Sequence, residues 1–425
     1  MRVEPAQSVQ GGLAVPGDKS ISHRAVLVGA ISDGESVVEG FGRSADTETT
    51  LAAVRALGVE VGEGGDTVRV AGAGLRGLRP PATSIDCGNA GTLARLLPGI
   101  LAGQQGSFEL IGDESLSGRP MGRIAEPLAA MGVGVETTAG RLPLRLEGGT
   151  VHAMRYELPV ASAQIKSCVL LAGLYADGPT TVVEPVPTRD HTERMLRAAG
   201  ATAQGSPGSV EVRPVERLEP LQLTVPGDFS SAAPFIVAAT LLPGSRLRLS
   251  GVGVNPTRIG LLHVLERMGA RISLYNRGVS GGEPVADIEV EHTDLVATEV
   301  EPAEVPSLID ELPLFALAAS MARGESRVRG AGELRQKESD RIETVTNVLR
   351  TLGIRITASD DGFRVRGVPS RPKGGGVDSA GDHRIAILGA VAGLISREGV
   401  RIEGAEAVSI SFPGFFDLLE SVTER

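Results

Sequence analysis

The sequence predicts an α/β protein of two domains, assembled from six copies of one unit. Three observations carry this: a recurring helix start, a recurring glycine after a second helix, and a length of 425 residues, too great for one core. A polar or small residue opens an apolar helix at Asp18, Asn89, Ser162, Asp228, Asp310 and Asp382, with 66–82 residues between successive starts. Each such helix runs into a glycine turn and a strand-like segment, for example Gly34 with ESVVEG and Gly178 with PTTVVEP. An amphipathic helix follows and ends on a repeated pattern. Gly58, Gly132, Gly200, Gly269 and Gly353 each sit between apolar residues, where a helix C′ position favours glycine. The sixth second helix spans Pro413 to about Val422, so its companion strands are expected from the N-terminus. Glycine is abundant at 56 residues, tryptophan is absent and aromatics are 3%, so the cores are expected to be Val, Leu, Ile and Ala.

The formal net charge of −10 argues against nucleic acid and anionic membranes as partners. It leaves room for a small anionic substrate in a locally basic site, because exposed charges are screened within about 10 Å. Cys87 and Cys168 form no disulfide framework, and buried thiols in a reducing, cytoplasmic setting are expected. Residues 1–15 carry no apolar signal segment, and the longest apolar run, Ile385 to Ile395, is too short to span a bilayer. The six histidines show no metal-ligand spacing with one another or with the cysteines, so no metal site is expected.

In the first unit, Pro16-Gly17 is a turn signal, Asp18 and Ser20 are N-cap types, and Lys19, Ser20, His23 and Arg24 crowd the helix start. Free N–H groups and the helix dipole favour an anion there, and two cations in the same turn favour phosphate or carboxylate. A capped helix with solvated charges is the plainer alternative. The fourth unit repeats the stretch as VPGDFSSAA without the Lys and Arg, so those cations are extra to what the turn and cap require. The paired stretches also mark chain crossings near 16 and 225–227. The expected domains are 1–16 with 227–425, and 17–226. Asp46, in the first turn of the next helix, is read only as a capping or dipole-favoured acid.

The second unit supplies Asn89, Gly91, Thr92 and Arg95, with Arg119 ahead of Pro120. Gly91 would let a ligand approach the main chain. In the third unit Ser162, Gln164, Lys166 and Ser167 crowd a helix start. Arg189 stands out in the following loop, where Asp190, Thr192 and Glu193 read as capping residues. The fifth unit carries Asp310 and Glu311 at a helix start and then Lys337, Glu338, Asp340 and Arg341, and the sixth has His383 and Arg384. So many cations around Asp310 and Glu338 imply substrates with several negative charges, since unpaired buried cations are costly.

The motifs VPGDKSISHRA, GNAGTLAR, SLSGRPM, ASAQIKS, TRDHTE, VPGDFSSAA, IDELP, RQKESDRI and AGDHR resemble, in order and along nearly the whole chain, those of the 5-enolpyruvylshikimate-3-phosphate synthases. The resemblance implies a two-domain inverse α/β barrel, the enolpyruvyl transferase fold, of six βαββαβ repeats, three per domain, with the active site in the interdomain cleft. It implies an addition–elimination that moves the enolpyruvyl group of phosphoenolpyruvate to the 5-hydroxyl of shikimate 3-phosphate, releasing phosphate without metal or cofactor. Lys19, Ser20, Arg24, Ser162, Gln164, Arg189, Asp310 and Lys337 would hold shikimate 3-phosphate. Lys19, Gly91, Arg119, Gln164, Arg341 and Arg384 would hold phosphoenolpyruvate. Asp310 would take the hydroxyl proton, while Lys19 and Glu338 protonate and deprotonate the methylene carbon. A monomer is expected, with glyphosate as a competitive inhibitor.

The chain departs from the family pattern in places. A lysine common before the final Phe-Pro pair is replaced in the stretch Ile410-Ser411, the second serine of the substrate loop is Ala163, and Arg189 stands in a loop that bears tyrosine in some members. Two alternatives stay open: a transferase acting on UDP-N-acetylglucosamine, and a non-catalytic anion-binding repeat protein.

Overall fold

The computed structural model describes residues 1–206 and 208–425. The chain forms two compact units. One comprises Met1–Pro16, Pro226–Gly278 and Pro284–Arg425, and the other Gly17–Val225 with Val279–Glu283. The boundaries expected from sequence lacked that last excursion, which is the turn of a long hairpin between strands Arg271–Ser280 and Glu283–Glu291. Its membership is set by contacts and not by composition: Arg194 Nη1 donates to Gly282 O at 3.0 Å, and Glu283 meets His191 at 2.8 Å.

The 17–225 unit holds three buried helices, each followed by a strand and a second, half-exposed helix. Helix α1 (Lys19–Ala30) is capped by Asp18, whose side chain accepts from Ile21 N. Helix α2 (Ala45–Ala56) starts on a capping box of Ser44 and Thr47. Helix α3 (Gly91–Leu101) begins two residues after the expected Asn89 and has no side-chain cap. A short α4 (Glu114–Ser117) precedes α5 (Gly122–Ala130). Helix α6 (Ala163–Gly173) is capped by Ser162, and α7 is His191–Ala198. Each sheet has one parallel pair extended by antiparallel strands, as in Gln222–Thr224 beside Asp33–Glu39, which pairs with Thr67–Ala73. At the turn before α1 a Cβ on Gly17 would collide with the Gly40 carbonyl, so only glycine fits.

The second unit repeats the scheme with α8 (Phe229–Leu241), α9 (Gly260–Arg267), α10 (Leu312–Met321), α11 (Arg341–Thr351), α12 (His383–Ile395) and α13 (Phe415–Ser421). Every residue of α8 is buried, and beyond Ser231 all but Thr240 are apolar. Helices α8, α10 and α12 pack against one another, so their first turns converge. Asp310 and Glu311 do not open α10 as expected. They lie in the 3₁₀ turn Ile309–Glu311, and the helix starts at Leu312 with Pro313 in its first turn. The N-terminus does supply strands: Arg2–Val3 runs antiparallel to Val400–Glu403, and Ser8–Ala14 lies beside Arg246–Gly253 and Thr423–Glu424. The five repeated glycines after α2, α5, α7, α9 and α11 share φ of 84–99°, a region that disfavours other side chains. Among the described residues no helix is long and apolar enough to cross a membrane.

Candidate active site

In the 17–225 unit, the starts of α1, α3 and α6 carry the expected anion-binding side chains. Lys19 Nζ lies 2.7 Å from Asp46 Oδ2. Asp46, read from sequence as a capping or dipole-favoured acid only, is therefore a partner of Lys19. Sequence signals nothing here, because acids at helix starts are common. Arg24 is nearly buried and held by three acceptors: Nε donates to Thr192 Oγ1 at 2.7 Å, Nη1 to Ser20 O at 3.0 Å and Nη2 to Ser167 Oγ at 3.0 Å. Burial lowers its pKa to about 10, with Glu193 opposing and the positive Arg189 reinforcing the shift. Arg189 is thus electrically close to Arg24, and Thr192 is more than a capping residue.

Arg95 Nη1 donates to Gln164 Oε1 at 2.9 Å, while Gln164 Nε2 reaches Thr92 Oγ1 at 3.3 Å, joining α3 to α6. Arg119 Nη2 donates to Asn89 Oδ1 at 2.6 Å and Ser115 Oγ at 3.0 Å. Gly91 lies between these two arginines: a Cβ there would stand 3.0 Å from Arg95 Nη1 and 3.3 Å from Arg119 Nη1. Ser162 is engaged as a cap, its Oγ accepting from Ile165 N at 3.4 Å.

In the other unit Arg341 is the hub. It is 1% exposed and meets three carboxylates: Nη2 to Glu338 Oε2 at 2.6 Å, Nε to Asp382 Oδ2 at 2.8 Å, and Nη1 to Asp310 Oδ1 at 3.4 Å. Burial alone would lower its pKa, but Asp382, Glu338 and Asp310 together raise it. With a further bond from Nη2 to Asp382 Oδ1 at 3.1 Å, all but one of its N–H groups are used. Burial acts to raise the Asp382 pKa, yet Arg341 holds it below the usual range. Lys337 Nζ lies 3.5 Å from Asp310 Oδ1. Arg384, in the first turn of α12, has its Nη1 3.8 Å from Glu311 Oε1, and its buried Nε has no acceptor among the described residues. Asp340 caps α11, as expected, accepting from Ile342 N and Glu343 N.

Several conspicuous residues belong elsewhere. Lys166 is buried against Glu193 at 2.7 Å and Glu184 at 3.1 Å, so it is a core ion pair and not an anion ligand. His23 is fully buried, its Nδ1 2.6 Å from Thr50 Oγ1, and burial drives its pKa down to about 3, so it is neutral. Cys168 is in the body of α6 and not at a helix start, and burial pushes both thiols up to about 12. Asp190, His191 and Glu283 approach within 4.8 Å of one another. Arg194 bridges that cluster, 2.9 Å from Asp190 and 3.8 Å from Glu283, and supplies its cation. The last loop, Ile410-Ser411-Phe412, is held by aromatic packing of Phe412 and Phe415 on Phe235, with ring centroids 6.4 and 5.9 Å away.

The model of the family EPSP synthase (3-phosphoshikimate 1-carboxyvinyltransferase) matches residues 3–419. A 3-phosphoshikimate 1-carboxyvinyltransferase of Geobacter sp. (strain M21) is 49% identical over 425 residues, covering 100% of this chain and 99% of its own. One from Lactiplantibacillus plantarum is 47% identical over 431 residues, covering 100% and 99%. The structure of an EPSP synthase from Acinetobacter baumannii matches at a TM-score of 0.88 and 41% identity, over 99% of this chain and 97% of that one. The enolpyruvyl transferase NikO from Streptomyces tendae matches at 0.80 and 19% identity, covering 99% and 96%, which speaks to fold alone. The α/β fold expected from the six repeats is thus that of the enolpyruvyl transferases.

Proposed function

The chain belongs to the EPSP synthase (3-phosphoshikimate 1-carboxyvinyltransferase) family, and from that premise we propose that it transfers the enolpyruvyl group of phosphoenolpyruvate to the 5-hydroxyl of shikimate 3-phosphate. The observation that carries this reading is the pair Asp310 and Glu338, both held on the buried Arg341. A protein that only bound anions would have no need of two carboxylates fixed among cations. Ser20, Arg24, Ser162, Gln164, Arg189 and Lys337 hold shikimate 3-phosphate. Lys19, Gly91, Arg119, Gln164, Arg341 and Arg384 hold phosphoenolpyruvate. The remaining N–H of Arg341 and the partnerless Nε of Arg384 suit oxygen acceptors of the substrate.

In this scheme Asp310 removes the 5-hydroxyl proton as the oxygen bonds to C2 of the enolpyruvate, and one of Lys19 and Glu338 gives a proton to C3. The tetrahedral intermediate then returns a C3 proton to one of these two groups as the C2–O bond to phosphate breaks. Arg119, Arg341 and Arg384 balance charge on the leaving phosphate. The protein acts as a cytoplasmic monomer in aromatic amino-acid biosynthesis, and glyphosate competes with phosphoenolpyruvate.

The test is phosphate release with phosphoenolpyruvate and either shikimate 3-phosphate or UDP-N-acetylglucosamine. Release only with the first is expected, and release only with the sugar nucleotide would refute the acceptor assignment. Asp310→Asn is expected to abolish turnover while shikimate 3-phosphate still binds, and full activity would remove Asp310 from its role.

A further inference from the structure

The loop Asn255-Pro256-Thr257-Arg258 is not used by the scheme above, yet it delivers a buried cation to the convergent starts of α8, α10 and α12. Asn255 Oδ1 accepts from Thr257 N at 3.0 Å, and Asn255 O accepts from Arg258 N at 2.8 Å, which fixes the turn ahead of α9. The Arg258 side chain is 4% exposed as a residue and points at Glu311, which is wholly buried. Its Nη1 lies 3.3 Å from both Glu311 oxygens, and its Nη2 lies 3.4 Å from Asp228 Oδ1 and bonds Ser230 Oγ. Ser230 Oγ in turn donates to Glu311 Oε1. Arg384 completes the group from α12, 3.8 Å from the same Glu311 oxygen. Two carboxylates thus face two guanidinium groups.

We propose that Arg258 is a positioning residue for Arg384: by taking up the buried charge of Glu311, it keeps the Arg384 guanidinium off that carboxylate and available to phosphoenolpyruvate. The proposal rests on the assignment of Arg384 above. A buried carboxylate must have a cation. With Arg258 present, Glu311 has a nearer cation and a hydroxyl, and Arg384 makes only a long ion pair with it, beyond hydrogen-bond distance. Without Arg258, Arg384 is the cation left to Glu311 in this group, and a small side-chain rotation closes the 3.8 Å gap. The arginine then serves the protein's own carboxylate and not the substrate's phosphate or carboxylate.

The test uses steady-state kinetics of the full chain, with KM for each substrate at saturation of the other. Arg258→Met is expected to raise KM for phosphoenolpyruvate about tenfold or more, with KM for shikimate 3-phosphate unchanged. Adding Glu311→Gln to Arg258→Met removes the carboxylate that captures Arg384, and is expected to recover most of that loss. A merely structural role would make the second substitution neutral or harmful. If Arg258→Met melts before assay, Arg258→Lys, which keeps the charge but not the fork, is expected to give a smaller rise for phosphoenolpyruvate alone. The inference is overturned by an unchanged phosphoenolpyruvate KM in the single variants, by equal rises for both substrates, or by a double variant no better than Arg258→Met. A wild-type chain without turnover would instead overturn the activity assignment and the inference with it.

Discussion

His23 sits one turn into α1, beside Lys19 and Arg24, and its burial makes the stability of the 17–225 unit depend on pH. Its ordinary pKa of 6.5 falls to about 3, first through desolvation, with Lys19 and Arg24 adding to the shift and Asp46 and Asp18 opposing it. Thr50 Oγ1 reaches Asp46 O at 3.4 Å, so it is best placed to accept from His23 Nδ1–H, leaving Nε2 bare and buried. Between pH 6.5 and 3 the unfolded chain binds a proton here and the folded chain does not. Stability therefore rises with pH in this window and falls on acidification, by about 1.4 kcal/mol per pH unit. From pH 8 to pH 5 the loss is about 2 kcal/mol, or about 4–8 °C in Tm for a unit of this size. His23→Asn keeps a donor toward Thr50 and removes the titration. The assay is urea unfolding of both proteins at pH 8, 7, 6 and 5. The variant is expected to be less stable at pH 8, from lost packing, but to lose about 2 kcal/mol less by pH 5. Parallel curves would refute the neutral, buried imidazole.

Two further substitutions act on the site itself. Gly91→Ala sets a Cβ 3.0 Å from Arg95 Nη1 and 3.3 Å from Arg119 Nη1, so one guanidinium must retreat by a few tenths of an ångström. KM for phosphoenolpyruvate is expected to rise several-fold, and the glyphosate inhibition constant to rise more, because that inhibitor spaces its two anionic ends one atom farther apart; equal increases would refute the steric account. Asp46→Asn frees the Lys19 ammonium from a 2.7 Å partner. Turnover is expected to fall about 10- to 100-fold while calorimetric binding of shikimate 3-phosphate stays near wild type, and an unchanged kcat would make the ion pair incidental.

What the sequence makes legible follows from what repeats. The VPGD turn and the C′ glycines impose the same backbone wherever they occur, so the two units and the helix starts can be seen without coordinates. The cations of the first copy stand out because the fourth copy folds without them. The partners that fix those cations do not stand out. Asp46, Thr192, Asp382 and Glu311 are ordinary residues for helix starts, and only distance separates a dipole-favoured acid from an arginine's counter-charge. Lys166 has the same ambiguity: on a helix wheel it adjoins Ser162, but its side chain turns inward to Glu184 and Glu193.

The same comparison explains why the helix starts can bear so much charge. In the unit holding Arg341, the first turns of α8, α10 and α12 converge, and each brings or adjoins an acid: Asp228, Glu311 and Asp382. Asp228 and Asp382 satisfy free N–H groups and also meet buried guanidinium groups, so there capping and cation storage use the same atoms, whereas Glu311 makes no side-chain cap and meets guanidinium groups only. Asp382 shows this directly: Oδ1 accepts from Arg384 N at 2.9 Å and from Arg341 Nη2 at 3.1 Å. A carboxylate already required by the helix can anchor an arginine with little further desolvation, which makes a helix start an economical place to build an anion site. It follows that replacing Asp382 with Ala should damage both jobs together, loosening the start of α12 and releasing Arg341, whereas Asp310→Asn leaves that cap and the Asp382–Arg341 bonds in place.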